Sequence, residues 1–197
     1  MEGNGKTMGM HRHIHGLHSF HGFHGFYGGA QREQNEKPDQ FLPDALDGAK
    51  IIAELGCGAG FYCKYLQKYA EKLYCVDASG EALEEAKKQL SNSNVVFLNE
   101  DAAHTSIPSG SIDALLFANS FHDMDKEQVY KEAKRILKLG SKVIIIDWEK
   151  KETEFGPPMS IRLSKEDYLE IFNDFKLEKE FTPGMHHYGL VLRRKQS

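Results

Sequence analysis

The stretch ELGCGAGF, from Glu54 to Phe61, constrains the fold of this chain more than any other feature. It joins an apolar run at residues 50–55, typical of a buried strand, to a predicted helix at residues 61–69. Glycines at such a junction let the backbone turn sharply and approach a ligand that a Cβ atom would repel. The stretch therefore predicts a ligand-binding loop in the first βαβ unit of a doubly wound α/β fold.

Apolar runs and amphipathic segments continue to alternate after this loop, as in a mainly parallel sheet. Ser79, Asp125 and Ser164 are of residue types that cap helix N-termini, and Gly140 is of the type that ends a helix. The last strands flank a turn at residues 182–185, and strands joined so tightly must be antiparallel. The further predicted strands cover residues 72–76, 95–98, 112–117, 143–146, 175–181 and 188–192, and the helices residues 81–90, 125–140 and 164–172.

Three acidic residues lie at the carboxyl ends of successive predicted strands, where a doubly wound sheet binds its ligand. Glu54 can attract an ammonium group, and Asp77 lies where such folds hold ribose hydroxyls. The Asp101 carboxylate can accept a hydrogen bond from an adenine amine, although a solvated loop residue is an equally good interpretation of Asp101 alone. Together with the glycine loop, the three acids predict one crevice for a nucleoside that carries an amino acid.

The spacing of the glycines separates two kinds of ligand. Dinucleotide-binding loops follow G-x-G-x-x-G, whereas Gly56, Gly58 and Gly60 alternate and Phe61 occupies the sixth position. Glu54 would also repel a pyrophosphate. A nicotinamide-dependent oxidoreductase is therefore the weaker alternative on the same fold.

With these residues, the sequence resembles the class I S-adenosylmethionine (SAM) methyltransferases over about residues 40–195. It resembles most their type 11 group, which includes ubiquinone/menaquinone C-methyltransferase-like enzymes, and within it uncharacterised archaeal and deep-branching bacterial members. Besides the loop, the resemblance rests on Asp77, Asp101, the segment FANSFHDM at residues 117–124, and the segments IDW and GPP at 146–148 and 156–158.

The resemblance implies a Rossmann-like methyltransferase fold of seven strands whose last strand is antiparallel, with SAM as the cofactor. It also implies that the three loop glycines cradle the methionine part of SAM. Asp77, next to Ala78, would hold the ribose, and Asp101 with Ala102 the adenine. The predicted cofactor-binding residues are thus Glu54, Gly56, Gly58, Gly60, Asp77, Ala78, Asp101, Ala102 and Asn119, the last of which lines the crevice through its amide.

His122, just beyond the fourth predicted strand, is the candidate general base. An acceptor that is protonated at neutral pH needs a base within hydrogen-bond reach, and neutral imidazole can serve. Asp123 beside it is a candidate orienting residue or second base. Packing over the cofactor is an equally good interpretation of His122. Methyl transfer from SAM requires no metal, so no catalytic metal is predicted, and a small-molecule acceptor recognised near Phe121, Trp148, His186 and His187 is favoured over a protein.

Composition narrows the partners and the compartment. A formal net charge of -4 gives no basic field to hold nucleic acid. Apolar runs such as residues 143–146 are too short to span a membrane. The cysteines Cys57, Cys63 and Cys75 are odd in number and lie inside predicted core elements, which argues against disulfides. No secretory signal is recognisable, and the sequence therefore predicts a cytoplasmic protein.

Residues 1–40 differ from the rest, which sets the domain division at residues 1–40, a His/Gly-rich tail, and 41–197, the methyltransferase domain. Histidine recurs in the tail with a period of three residues between 15 and 26. Neutral imidazoles can bind a divalent metal, so a metal-binding or metal-regulated protein that acts through its tail is a further alternative. A flexible solvated tail and a segment added for expression are the plainer interpretations.

Overall fold

The computed structural model describes residues 32–33, 35–90 and 92–196. Within them, the strands are β1 Ile51–Leu55, β2 Lys72–Asp77, β3 Val95–Asn99, β4 Ile112–Ala118, β5 Leu137–Trp148, β6 Phe175–Gly184 and β7 His187–Arg194. They form one seven-stranded sheet in the order β3-β2-β1-β4-β5-β7-β6. The first five strands are parallel, and β7 is antiparallel to both β5 and β6. The predicted doubly wound sheet with a terminal antiparallel hairpin is confirmed.

Helices cover both faces of this sheet. Ser79 accepts a hydrogen bond from the Ala82 amide at 3.2 Å, which satisfies a free donor of the first helical turn. Asp125 caps its helix in the same way, and Ser164 forms a capping box, so the three predicted N-caps are confirmed. The helices are α1 Pro38–Leu46, α2 Cys63–Leu66, α3 Gly80–Gln89, α4 Lys126–Ile136 and α5 Lys165–Ile171, with a 3₁₀ turn at Phe121–Asp123.

Alternate residues of the central strands enter two hydrophobic cores, one on each face of the sheet. In β5, Val143 and Ile145 belong to one core, and Ile144 and Ile146 belong to the other. All four side chains are fully buried. A strand buried on both faces must be continuously apolar, which is why β5 was recognisable in the sequence.

The sequence-based boundaries are wrong at two helices. The helix after the glycine loop is only Cys63–Leu66, because turns occupy the residues on either side of it. α4 ends at Ile136, and Gly140 lies inside β5 and not at a helix C-terminus. The pairing of β4 with β5 passes from Leu137 directly to Lys142, so Gly140 lies in a bulge.

The expectation that no cysteines pair is also wrong. Cys63 of α2 and Cys75 of β2 form a disulfide, with their Cα atoms 6.7 Å apart. Both side chains enter the same core, because α2 packs on the face of the sheet to which Cys75 points. Cys57 is a buried free thiol.

The described part of the predicted tail packs against the domain. Glu36 is fully buried, and α1 places Leu42 and Leu46 in the core. The histidine repeat lies outside the described residues, so the metal-binding tail stays a prediction. No helix in the described part of the chain is long and apolar enough to cross a membrane.

Candidate active site

The loop after β1 is tied to the loop after β2 through Asp77. One carboxylate oxygen, Oδ2, accepts a hydrogen bond from the Gly58 amide at 2.7 Å. The other, Oδ1, accepts from the Ser79 amide at 2.8 Å. Gly56 and Gly58 have φ of +74° and +53°, in the region that favours glycine. Asp77 thus joins the two loops into one cradle at the carboxyl ends of the strands.

Open space lies beside this cradle at Gly58. A Cβ atom built there would meet no other atom within 4 Å, whereas one built at Gly56 would lie 2.6 Å from Ser120 Cβ. Gly56 is therefore required by packing against the loop after β4. Gly58 instead has open space beside its backbone, where a ligand can approach it.

Glu54 lies at the base of the cradle and is 2 % exposed. Burial, helped by the nearby Asp77 charge and opposed by Arg32, raises the pKa of this carboxyl to about 8. Its Oε2 lies 2.9 Å from Cys63 Sγ. The group holds a proton at neutral pH in the ligand-free protein, and a bound ammonium would favour its ionised form.

We expect Glu54 to make the protein less stable as the pH rises. Its folded-state pKa of about 8 exceeds the reference value of 4.5, so between these values the folded state binds the extra proton. Stability then falls with rising pH across that window. Glu54→Gln should remove this fall, which urea unfolding near the two ends of the window measures. The exposed Glu152→Gln should leave it in place, and an unchanged slope in Glu54→Gln would contradict the assignment.

Asp101 and Ala102 follow β3, beside the same edge of the sheet. Asp101 Oδ1 accepts from the Ala103 amide at 2.8 Å, and Ala102 is buried. The loop is joined to its neighbour because the Glu100 amide donates to the Asp77 carbonyl at 3.2 Å. Asp101 is exposed and keeps its other carboxylate oxygen for a ligand, so its predicted adenine contact stays a prediction.

The loop after β4 closes the crevice on the other side. Asn119 has a left-handed φ of +56°, which is uncommon for a residue with a side chain. Its backbone N–H donates to the Ile146 carbonyl at 2.8 Å. Its side-chain Oδ1 is buried and has no hydrogen-bond partner among the described residues. Ser120 Oγ donates to the Leu55 carbonyl at 2.9 Å. An unsatisfied oxygen on a strained residue is typical of a ligand-binding position.

His122 lies in the 3₁₀ turn after Asn119 and is 4 % exposed. Its Nδ1 lies 2.8 Å from Asp147 Oδ1, and its Nε2 lies 3.5 Å from Asp123 Oδ2. Burial alone would lower the pKa of His122, but the hydrogen bond and charge of Asp147, with the charge of Asp123, raise it above the usual value. The sequence named Asp123 as the orienting residue, whereas the shorter contact is made by Asp147.

The residues predicted to recognise the acceptor do not form one surface. Phe121 is fully buried and packs against Phe117, so it belongs to the core. Trp148 is 4 % exposed, and its ring lies 4.3 Å from His187 between ring centroids. His186 stacks over the same indole at 6.5 Å. Trp148, His186 and His187 form a cluster at the carboxyl end of β5, where Trp148 follows Asp147.

Three site residues escaped the sequence analysis. Asp147 and Tyr168 contact each other behind His122, as described below. Arg32 lies within the predicted tail, with its Nε 2.9 Å from Glu36 Oε1 and its guanidinium 4.4 Å above the Phe61 ring. Its Nη2 is buried without a hydrogen-bond partner in the described ranges. Only Asp147 had a sequence signal, because it follows the apolar run of β5 as Asp77 follows that of β2.

Comparison with known proteins identifies this arrangement. Residues 53–145 match a family model for a methyltransferase domain. A structure from Sulfolobus solfataricus assigned as a type 11 methyltransferase is 49% identical, covers 82% of this chain and is itself covered to 94%, with a TM-score of 0.75. A SAM-dependent methyltransferase from Aquifex aeolicus has the same fold, with a TM-score of 0.73 at 24% identity over 85% of this chain and 98% of its own.

Two curated relatives match this chain over less than half of their own length. A protein of Dictyostelium discoideum described as a methyltransferase is 30% identical over 56% of this chain, and the chain spans only 41% of that protein. A methyltransferase-like protein of Schizosaccharomyces pombe is also 30% identical, over 55% of this chain and 41% of its own length. The sheet order, with the glycine loop and the acidic residues at the strand ends, is that of a Rossmann-like doubly wound fold. The chain belongs to the class I SAM-dependent methyltransferases.

Proposed function

We infer that this chain transfers a methyl group from SAM to a small-molecule acceptor. The observation that carries the inference is the cradle at Gly58, which has open space beside it and is bound to Asp77, with the buried Glu54 near the Asp77 carboxylate. SAM is the cofactor of the family to which the chain belongs. The residues of the cradle fit SAM, because a zwitterionic amino acid and a ribose need opposite charges and bare backbone close together.

Each part of SAM has a matching group in the crevice. Glu54 is assigned to the ammonium, and the buried Arg32 Nη2, which lacks a partner among the described residues, to the carboxylate. Asp77 keeps free lone pairs on both carboxylate oxygens for the ribose hydroxyls. The full set of assigned cofactor contacts is Arg32, Glu54, Gly56, Gly58, Gly60, Asp77, Ala78, Asp101, Ala102 and Asn119.

When bound, SAM supplies a methyl group already activated by the sulfonium. The remaining tasks of the protein are to position the acceptor, exclude water and hold its proton. We propose that His122 accepts the proton of the acceptor, and that the exposed Asp123 beside Nε2 assists it. Asn119 lies between the cradle and His122 in sequence and can orient either ligand through its free Oδ1.

The finer assignments are also proposals. The likeness to the Sulfolobus protein supports the type 11 group. The archaeal affinity and the ubiquinone/menaquinone-like subgroup, which the sequence resemblance implies, are proposed with it. A small acceptor is favoured because the sheet carries no inserted domain in the described ranges. We keep the cytoplasm as the proposed compartment, although the Cys63–Cys75 disulfide is unusual there.

Calorimetric titration with S-adenosylhomocysteine tests the proposed function directly. We expect micromolar binding by the wild type and none of NAD. Asp77→Asn should weaken binding by about tenfold to a hundredfold, because a hydrogen bond to a charged group contributes about 1.5–3 kcal/mol. Ser109→Ala, on the loop before the opposite end of β4, serves as the control variant. Tight binding of NAD, or no binding of either compound, would refute the proposed function.

A further inference from the structure

A buried chain of hydrogen bonds joins three elements behind His122. Asp147, the penultimate residue of β5, is 1 % exposed. Its Oδ1 lies 2.8 Å from His122 Nδ1 and accepts from the Trp148 amide, also at 2.8 Å. Its Oδ2 accepts from the Tyr168 hydroxyl of α5 at 2.5 Å. Tyr168 is itself fully buried, so these hydrogen bonds lie in the core and are shielded from solvent.

This arrangement fixes which imidazole nitrogen can act. Asp147 as a carboxylate is an acceptor only, and it receives donors from Trp148 and Tyr168. His122 Nδ1 must then carry a proton and donate it to Asp147. In the neutral ring the lone pair is left on Nε2, which lies on the side of the half-exposed Asp123. Nε2 of the neutral ring therefore keeps the lone pair that a base needs.

We propose that Asp147 and Tyr168 are positioning residues that hold His122 as the general base for an acceptor with an ionisable hydroxyl or thiol. This inference rests on the proposed function. As the acceptor's O–H or S–H bond breaks, its proton goes to His122 Nε2. Its electron pair forms the bond to the methyl carbon, and the carbon–sulfur bond breaks toward sulfur. The proton then passes from the imidazolium to solvent, so that atoms and charge balance.

Other ionisable groups surround His122 and Asp147. Asp123 and Lys126 act from the segment of His122 itself. Arg162, His187 and Tyr188 act on Asp147 from the neighbouring loop and strand.

Those neighbours keep one charge state near neutral pH. Burial lowers the pKa of His187 to about 4 and raises that of Tyr188 far above its usual range, so both are neutral. Arg162 remains a cation. Glu54 titrates in the same range, and its charge also acts on the sulfonium of SAM. Glu54→Gln removes this contribution to the ratio and leaves that of His122.

The ratio of the two affinities reports on His122 without any acceptor. Protonated His122 repels the sulfonium of SAM, whereas the neutral thioether of S-adenosylhomocysteine carries no such charge. Between about pH 6 and pH 8.5, we expect the Kd of SAM divided by that of S-adenosylhomocysteine to fall roughly tenfold, with a midpoint at the pKa of His122. Calorimetry in matched buffers measures both constants.

Two variants move this midpoint in opposite directions. Asp147→Asn removes the charge that favours the imidazolium, so the midpoint should move to lower pH. Tyr168→Phe removes a donor from the carboxylate and makes it more basic, so the midpoint should move to higher pH. Asp123→Asn, which alters the exposed carboxylate, should move it less than Asp147→Asn. General loosening of the site would shift Asp147→Asn and Tyr168→Phe alike.

Nitrogen NMR of the wild-type imidazole gives an independent spectroscopic readout. The neutral ring should carry its proton on Nδ1, and this preference should be lost in Asp147→Asn. If Asp147→Asn does not fold, Tyr168→Phe and the wild-type tautomer still decide the matter. A pH-independent ratio, a proton on Nε2, or equal shifts in both variants would overturn the inference. Failure of the wild type to bind either compound would instead refute the proposed function.

Discussion

Gly56→Ala is expected to lower the free energy of unfolding by about 2 to 5 kcal/mol. The backbone there has φ of +74°, and a side chain in that conformation costs about 1–2 kcal/mol. The new methyl group would also lie 2.6 Å from both Ser120 Cβ and Met124 Cε. Met124 can move its flexible end, but Ser120 Cβ is fixed to the backbone, so overpacking adds about 1–3 kcal/mol.

Gly48→Ala separates the two contributions. Gly48 has nearly the same φ, +77°, but a Cβ atom built there meets nothing within 4 Å. This variant carries the backbone cost alone, and urea unfolding of both proteins therefore isolates the contact with Ser120. Equal losses in the two variants would mean that the loops after β1 and β4 do not pack as described.

The part of the site that could be predicted from the sequence lies at the ends of the buried strands. Residues that end a buried strand are recognisable, because the strand is apolar and the ligand-binding residue that follows it is polar. Glu54, Asp77 and Asn119 were found in this way. The sheet with its terminal hairpin could be predicted for the same reason, since its central strands are buried on both faces and the last two are joined by a short turn.

Contacts between distant segments were not predictable from local patterns. Tyr168 lies in α5, and nothing in its helix distinguishes it from an ordinary core aromatic residue. Its contact with Asp147 exists only because α5 packs over the end of β5. The local pattern at Gly140 predicted a helix end that the fold does not form, because a glycine with positive φ serves a β-bulge as well as a helix end.

Asp123 and Asp147 illustrate the same limit at the candidate base. Adjacency in sequence favoured Asp123, whose side chain is 54% exposed. The fold instead brings Asp147, whose side chain is 1% exposed, against the other imidazole nitrogen. A buried carboxylate orients a ring more firmly than an exposed one, since solvent screens the exposed charge. The orienting residue therefore had to be found in three dimensions.

Gly58→Ala should weaken binding of S-adenosylhomocysteine by about ten- to a hundredfold while the protein stays folded. A Cβ atom at this position meets nothing within 4 Å, so the protein itself can accommodate it. A ligand that approaches the bare backbone must give way to it, at a cost of about 1–3 kcal/mol. Calorimetry gives the binding constant, and thermal unfolding shows that the fold persists.

Gly110→Ala is the matched control for this effect. Gly110 has φ of +60°, against +53° at Gly58, and its Cβ atom would also meet nothing within 4 Å. It lies before β4, at the amino end of that strand and so away from the cradle. Both variants carry the same backbone cost, but only Gly58→Ala alters the crevice. Equal affinities in the two proteins would place the cofactor elsewhere, whereas a loss confined to Gly58→Ala locates the methionine part of SAM against this loop.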